Sequence, residues 1–278
     1  MAWTEFSPPE GAPPREGNEK MTMGDQKRAV QRQFGRQAGA YARSISHRRD
    51  ADLDLLITHL QATPRDRVLD VATGTGFTAF ALRPHVRAVV GVDLTRGMLE
   101  EARRLAPPGK GLTWVVGDAE ALPFADGAFS IVTCRRAPHH FPHVERGVGE
   151  MVRTLAPGGR LGIVDQVPPE EAPGHDLMEA LEGVRDASHV RALRASRWQA
   201  LLRESGIVLT FMQVVERPQT LEAWLELAGA DGARRRAVAE MLSGAPRQAR
   251  EQIGYAETPE PSFLKRWIVL VGTKENEQ

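Results

Sequence analysis

Three acids, two glycines and a group of histidines have types and spacing that suggest chemistry: Asp70, Asp93 and Asp118; Gly74 and Gly76; His139, His140 and His143. Asp70 lies in the stretch "VLDVATGTGF", where an apolar run passes straight into the two glycines. A buried strand ending in a tight turn against a ligand has this form, because glycine reaches positive φ and carries no Cβ to hold the ligand off. Gly74-x-Gly76-x-x-Ala79 fits the dinucleotide pattern. A similar loop can cradle S-adenosylmethionine, so the glycines alone do not choose between the two ligands.

The acids narrow the choice. Asp93 ends the next apolar run and can accept from both ribose hydroxyls, which the two ligands share. Asp70 discriminates: a carboxylate there would repel a pyrophosphate and attract an α-ammonium group. S-adenosylmethionine carries an ammonium and a sulfonium and no phosphate. In "GDAEALPFADGAFSIVTC", Asp118 can accept from the adenine amine while the Ala119 N–H serves a ring nitrogen. Leu122, Pro123 and Phe124 would then wall the ring. The balance favours the methyl donor.

These residues need strands to hold them. Strand-like apolar runs at Arg67–Val71, Ala88–Val92, Leu112–Val116, Ser130–Cys134 and Arg160–Val164 alternate with helical spacing at Phe77–Leu82, Arg96–Leu105 and Glu145–Leu155. Pro84 and Pro107-Pro108 limit the first two helices. Runs without polar alternation are buried on both faces. The expected fold is therefore α/β: a Rossmann-like, doubly wound, mostly parallel seven-stranded sheet. Its sixth strand is placed near Val208–Val215 and its last at Arg266–Lys274. Val30, Phe34, Ala38 and Tyr41, then Leu53, Leu56, Ile57 and Leu60, space out as amphipathic helices over residues 25–60. Asp176–Gly206 and Leu221–Ile253 read as mainly helical. Residues 1–24, rich in Pro, Gly and Glu, read as a disordered tail.

Composition removes other classes. The 278 residues carry 36 basic and 36 acidic side chains, so no global charge draws the chain to nucleic acid or an acidic membrane, and no nucleic-acid partner is expected. One cysteine, Cys134, excludes an internal disulfide and a Cys-rich metal site; it is expected to pack as a small apolar residue. No run of about 18 apolar residues is present. The N-terminus lacks a signal-peptide pattern, and a cytoplasmic location is the expectation.

Four segments together, "VLDVATGTG", "VVGVDLTRGMLEEA", "GDAEALPFADGAFSIVTC" and "LAPGGRLGIVD", resemble the class I S-adenosylmethionine-dependent methyltransferases. The chain is most similar to the branch that includes the ubiquinone/menaquinone-biosynthesis C-methyltransferases. The core resemblance spans residues 66–165, and "QFGRQAGAYARSISH" and "RDASHVRALRASRWQALLRESGI" resemble the flanks of that branch. It implies a cofactor site of Tyr41, Asp70, Ala72, Thr73, Gly74, Gly76, Asp93, Leu94, Met98, Asp118, Ala119 and Arg135. One departure is Ala72, which stands where the family often has the first glycine of its loop. The resemblance also implies helices at 25–60 as a lid and 170–262 as a cover over the acceptor.

Methyl transfer is an in-line displacement at a carbon already activated by the sulfonium; it needs alignment and exclusion of water, and no metal. A base is needed only when the acceptor must lose a proton. "CRRAPHHFPH" follows the fourth strand, on the side where such folds bind ligands. His139 and His140 are the candidate bases, with imidazoles of ordinary pKa near 6.5; packing or helix capping is the alternative. Arg135 and Arg136 either contact a ligand or are ion-paired. Arg185, Asp186 and His189 are candidates to line the acceptor pocket, with a helix start capped by Asp186 or Ser188 as the alternative. Tyr41 and Phe34 either close over the methionine end or simply pack. The Arg234-Arg235-Arg236 run reads as a solvated helix face. The leading expectation is transfer of a methyl group to a small molecule at carbon or oxygen. An NAD-dependent oxidoreductase and a non-catalytic S-adenosylmethionine-binding protein are the alternatives.

Overall fold

The fold begins where Thr22 and Asp25 cap each other. The Asp25 N–H donates to Thr22 Oγ1 at 3.2 Å, and the Thr22 N–H donates to Asp25 Oδ2 at 3.3 Å. This reciprocal cap starts helix α1 (Met23–Arg43), so Met23 and Gly24 are helical where the sequence suggested tail. A computed structural model describes residues 22–43 and 50–275; residues 1–21 of the expected tail and residues 44–47 of the first flanking segment lie outside them. Helix α2 (Ala51–Leu60) is capped by Asp50, whose carboxylate accepts from the Ala51 N–H at 2.7 Å.

The alternating core follows: β1 (Arg67–Val71), α3 (Phe77–Leu82), β2 (Ala88–Asp93), α4 (Arg96–Leu105), β3 (Leu112–Val116), β4 (Phe129–Arg135), α5 (Val144–Thr154) and β5 (Leu155–Gln166). The second half comprises α6 (Ala172–Arg185), α7 (Ala195–Glu204), β6 (Ile207–Thr220), α8 (Leu221–Leu227), α9 (Gly232–Gly244), α10 (Arg247–Gln252) and β7 (Ser262–Lys274).

Seven strands form one sheet in the order β3-β2-β1-β4-β5-β7-β6. The first five run parallel, whereas β7 is antiparallel to both β5 and β6. The sheet is therefore mixed, which corrects the mostly parallel expectation. The reason lies in the excursion over residues 221–261. It leaves the sheet at Thr220 and returns at Ser262, which are register partners, so the returning strand must run the other way.

Neighbouring residues of the strands point to opposite faces, and both faces are apolar. Val68, Ile131, Val269 and Val271 pack with Leu56 and Leu60 of α2 and Ala79 and Leu82 of α3. Leu69, Val132, Cys134, Ile268 and Leu270 pack on the other side with Val148 and Met151 of α5 and Trp198, Leu201 and Leu202 of α7. Cys134 is fully buried there, and burial pushes its thiol well above the ordinary value. A third cluster joins Leu177, Met178 and Leu181 of α6 to Trp224, Val238, Met241, Ile253 and Phe263. The helical excursion thus has a small core of its own, at the carboxyl end of the parallel strands.

Asp176–Gly206 is not one helical run. Helix α6 stops at Arg185 because the Asp186 carboxylate takes the Ser188 N–H at 2.8 Å and the Ser188 hydroxyl at 2.6 Å, a local arrangement that competes with the helix. Asp186 therefore follows a helix end rather than opening a helix. Helix α7 resumes only at Ala195.

Candidate active site

The turn after β1 is built from three positive-φ residues: Ala72 at 51°, Gly74 at 56° and Gly76 at 89°. At Ala72 this conformation costs about 1–2 kcal/mol relative to an ordinary one. The two glycines are there for different reasons. A Cβ at Gly74 would meet nothing within 4 Å, so this residue presents bare backbone to a cleft. A Cβ at Gly76 would fall 2.8 Å from Phe80 Cζ and 2.9 Å from Trp114 Cη2. Gly76 is needed by packing and does not line the cleft, contrary to the contact expected of it.

Asp93 holds the turn from the neighbouring strand. Its Oδ2 accepts from the Gly74 N–H and its Oδ1 from the Thr95 N–H, each at 2.8 Å. Asp70, fully buried at the end of β1, accepts from the hydroxyls of Thr73 at 2.5 Å and Thr133 at 2.8 Å. Burial pushes both carboxyls up to about 6 against the lowering effect of these donors. Parallel neighbours β1 and β2 thus deliver two acids to the same opening, where a cation would restore their charge.

The cleft contains about 1040 Å³ of open space, part of it in contact with solvent. Of the sequence-derived cofactor residues, Tyr41, Asp70, Ala72, Thr73, Gly74, Asp93, Leu94, Met98, Asp118, Ala119 and Arg135 line it, and so does His140. His139, Arg185, Asp186 and His189 do not.

Helix α1 closes one side. Its Lys27 reaches across to Asp118 Oδ2 at 2.6 Å and Glu120 Oε2 at 2.7 Å. Neither Lys27 nor Glu120 was singled out by the sequence: the pairing spans 91 positions, and a lone lysine in an amphipathic helix looks like a solvated one. Gln31 and Gln33 fasten the same helix through their side-chain amides, to the carbonyls of Leu94 at 3.1 Å and Ala228 at 2.9 Å. Phe34 lies 5.4 Å from the Tyr41 ring and 4.9 Å, edge-on, from the His140 ring. Burial pushes the Tyr41 hydroxyl up to about 12, so it stays protonated.

Arg135 and Arg136 line the cleft and are ion-paired at its back. Arg135 Nη2 and Arg136 Nε each lie 2.8 Å from Asp52, Arg136 also pairs with Asp50, and its guanidinium stacks 4.2 Å above Trp267. Burial alone would raise Asp52; the two arginines hold it below its ordinary value. Arg136 has φ 58°, an outlier that turns the chain from β4 into the histidine turn at Pro138–His140.

The histidines differ from the expected pair of bases. His139 Nδ1 lies 2.5 Å from Asp165 Oδ1 in the protein interior, and burial holds the imidazole well below its ordinary value while pushing Asp165 up to about 8. His140 faces the cleft. Burial and the adjacent His139 push it down to about 3, so it does not have the pKa near 6.5 expected of a free-standing base. The neutral imidazole is a hydrogen-bond acceptor rather than a resident proton carrier.

Arg185, Asp186 and His189 lie behind the histidines. Arg185 pairs with Glu182 at 3.0 Å, donates to the Trp224 carbonyl at 2.9 Å and stacks on the Trp224 ring. His189 Nε2 is 3.3 Å from Glu179, and Glu182 is also paired with the buried Lys265. Val30, Thr95, Phe141 and Pro142 also line the cleft. Thr95 could have been read from its place two residues after Asp93; the others carry no sequence signal beyond ordinary apolar spacing.

Residues 69–163 match a family described as a methyltransferase domain. The chain is 34% identical over 247 residues to the uncharacterized methyltransferase YcgJ of Bacillus subtilis, covering 87% of this chain and 97% of that protein. The crystal structure of YcgJ superposes with a TM-score of 0.77 at 32% identity, over 81% of this chain and 99% of that one. A demethylmenaquinone methyltransferase of Thermus thermophilus is 43% identical over 113 residues, 40% of this chain and 51% of that one. The chain belongs to the S-adenosylmethionine-dependent methyltransferases.

Proposed function

We propose that this protein transfers the methyl group of S-adenosylmethionine to oxygen or carbon of a small, mainly apolar acceptor. The observation that carries the reading is the use of the loop amide. The Gly74 N–H, which a pyrophosphate would need, donates to Asp93, and the buried Asp70 sits beside it. The buried Asp70 would repel a pyrophosphate and attract an ammonium, while Asp93 occupies the loop amide that the pyrophosphate would use.

In this reading Asp93 accepts from the ribose hydroxyls and Asp70 faces the methionine ammonium, directly or through water. Asp118 and the Ala119 N–H read the adenine, with Lys27 sharing or yielding Asp118 Oδ2. Leu94 and Met98 flank the nucleoside. Helix α1 acts as the lid, and the helical region over 170–262 covers the acceptor end. Phe34, Tyr41, Phe141 and Pro142 give that end an aromatic, apolar lining in which His140 supplies one polar acceptor. Such a wall suits a flat molecule that offers one O–H. The relatives named demethylmenaquinone methyltransferase make a carbon acceptor the first to test.

The sulfonium supplies the electrophile, so the protein has to align the acceptor and exclude water. The bound donor would supply a positive charge that opposes protonation of the His140 imidazole, and the loss of that charge on transfer would raise the proton affinity of His140. Replacement of His140 by Ala should lower kcat about 100-fold, with S-adenosylhomocysteine affinity within about twofold, in assays on small phenol and enol acceptors. Unchanged turnover would remove His140 from the reaction.

A further inference from the structure

Two turns meet behind the acceptor end of the cleft. The first is Pro138–His140, after β4; the second is the irregular loop 186–194, between α6 and α7. They are stitched together by backbone bonds: the N–H groups of Val190 and Arg191 donate to the His139 carbonyl at 2.9 and 3.2 Å. Side chains join them as well: His140 Nδ1 lies 3.0 Å from the Ser188 carbonyl and 3.2 Å from the Ser188 hydroxyl, and the rings of His139 and His189 lie 5.9 Å apart between centroids.

A carbonyl oxygen can only accept, so Nδ1 carries the proton and Nε2 carries the lone pair. This is the reverse of the tautomer that an unconstrained histidine side chain favours, so the protein must enforce it. The enforcement is visible. One oxygen of Asp186 takes both the N–H of Ser188, at 2.8 Å, and its hydroxyl, at 2.6 Å, and the Asp186 carbonyl takes the His189 N–H at 3.0 Å; together these bonds brace the turn that presents the Ser188 carbonyl. Gln26 of the lid helix donates to the same carbonyl at 2.9 Å. Phe34 on one side and His139, 4.1 Å away between ring centroids, hold the imidazole in plane. No partner meets Nε2 among the described residues.

We propose that Asp186 and Ser188 are positioning residues that hold His140 as its Nδ1–H tautomer, so that the Nε2 lone pair faces the cleft and accepts a hydrogen bond from the acceptor's O–H. The proposal rests on the reading of His140 given above and assigns to Asp186 a role through another residue, in place of contact with the acceptor. It also restricts the substrate class: the atom facing Nε2 must be a donor, as in a phenol or an enol, and an ether or a ketone would face a lone pair. In the reaction the new C–O bond, or the C–C bond where an enol carbon attacks, forms as the C–S bond breaks. The O–H proton passes to Nε2 and S-adenosylhomocysteine leaves as a neutral thioether. The positive charge moves from sulfur to the imidazolium, where Asp186 lies one hydrogen-bonded residue away. Burial would raise Asp186, but a charge on His140 once it is protonated, the charge of Arg185 and the bonds from Ser188 hold it below its ordinary value, so it is an anion beside the imidazolium.

The test is nitrogen NMR of ring-labelled histidines in the complex with S-adenosylhomocysteine, with the His140 signals identified by their loss in His140→Gln. The wild-type protein should show Nδ1 protonated and Nε2 bare. Asp186→Ala, which removes both side-chain bonds to Ser188 and loosens the turn that presents its carbonyl, should shift the tautomer ratio toward Nε2–H by at least about tenfold, the equivalent of two lost hydrogen bonds. Asp186→Asn keeps an accepting oxygen and should retain the wild-type signature. If Asp186→Ala does not fold, Ser188→Ala removes one of the two bonds and should shift the ratio about threefold. An Nε2–H signature in the wild type, or a ratio indifferent to these changes in the folded variants, would overturn the proposal. The two readings fail separately: wild-type turnover in His140→Ala removes the histidine's role while its tautomer stands.

Discussion

If Asp70 and Asp93 hold the ligand as proposed, they should set the pH range in which the cleft binds it. In the ligand-free protein both carboxyls are pushed up to about 6 by burial, so each takes a proton as the pH falls through that value. The protonated forms neither attract an ammonium nor accept freely from a ribose. Binding of S-adenosylmethionine should therefore release protons near pH 6 and weaken below it, while proton release vanishes at about pH 8, where both acids are already ionised. Calorimetry in buffers of different ionisation enthalpy measures this directly; equal affinity and no proton release at about pH 5.5 and pH 8 would place these acids outside the site. The same two residues were legible in the sequence, because each ends an apolar run and a parallel strand delivers its last residues to the ligand side. Lys27, Asp50 and Asp52 were not. Their partners stand far off along the chain, at Asp118 and at Arg135 and Arg136, and nothing in the local pattern of a helix says which charge it will meet.

At the scale of elements, the turn between β1 and α3 separates into a part that opens to the cleft and a part that packs. Gly74 turns its missing side chain toward the cleft, and Gly76 turns its own toward Phe80 and Trp114. Gly76→Ala should lower stability by on the order of 2 kcal/mol or more, from the positive φ and the displaced rings. Gly74→Ala should cost about 1 kcal/mol and weaken S-adenosylhomocysteine binding more than it weakens the fold. Denaturation curves beside binding curves for the two variants distinguish these effects; the reverse order would mean that the roles of the glycines are exchanged. The G-x-G pattern in the sequence announces both glycines as one motif, since the spacing records that Cβ atoms are excluded and not what excludes them. The boundaries of β1, α3, α4 and β3 were readable because apolar runs and prolines mark them. The break between α6 and α7 was not, because Asp186 ends the helix through bonds to Ser188 that the periodicity of the surrounding apolar residues does not register.

At the scale of the whole molecule, the parallel strands open at their carboxyl ends on the cleft, and the chain after β6 makes a helical excursion before returning as β7. The reversed β7 is the price of that return, and its direction was hidden in the sequence because an apolar strand reads the same in either sense. Helix α1 and the excursion over residues 221–261, two parts of the chain remote in sequence, meet through Gln33 and Ala228, and of the two it is α1 that lines the cleft among the described residues. The central claim about this assembly is that its acidic cleft selects a sulfonium-bearing ligand over a dinucleotide. Thermal unfolding with S-adenosylmethionine, S-adenosylhomocysteine and NADH in turn tests it most directly. A ligand at 100 times its dissociation constant adds about 2.7 kcal/mol, which for a chain of this length raises the midpoint by roughly 2–4 °C per kcal/mol. The account predicts such a rise with both sulfur ligands and none with NADH; a rise with NADH alone would contradict it.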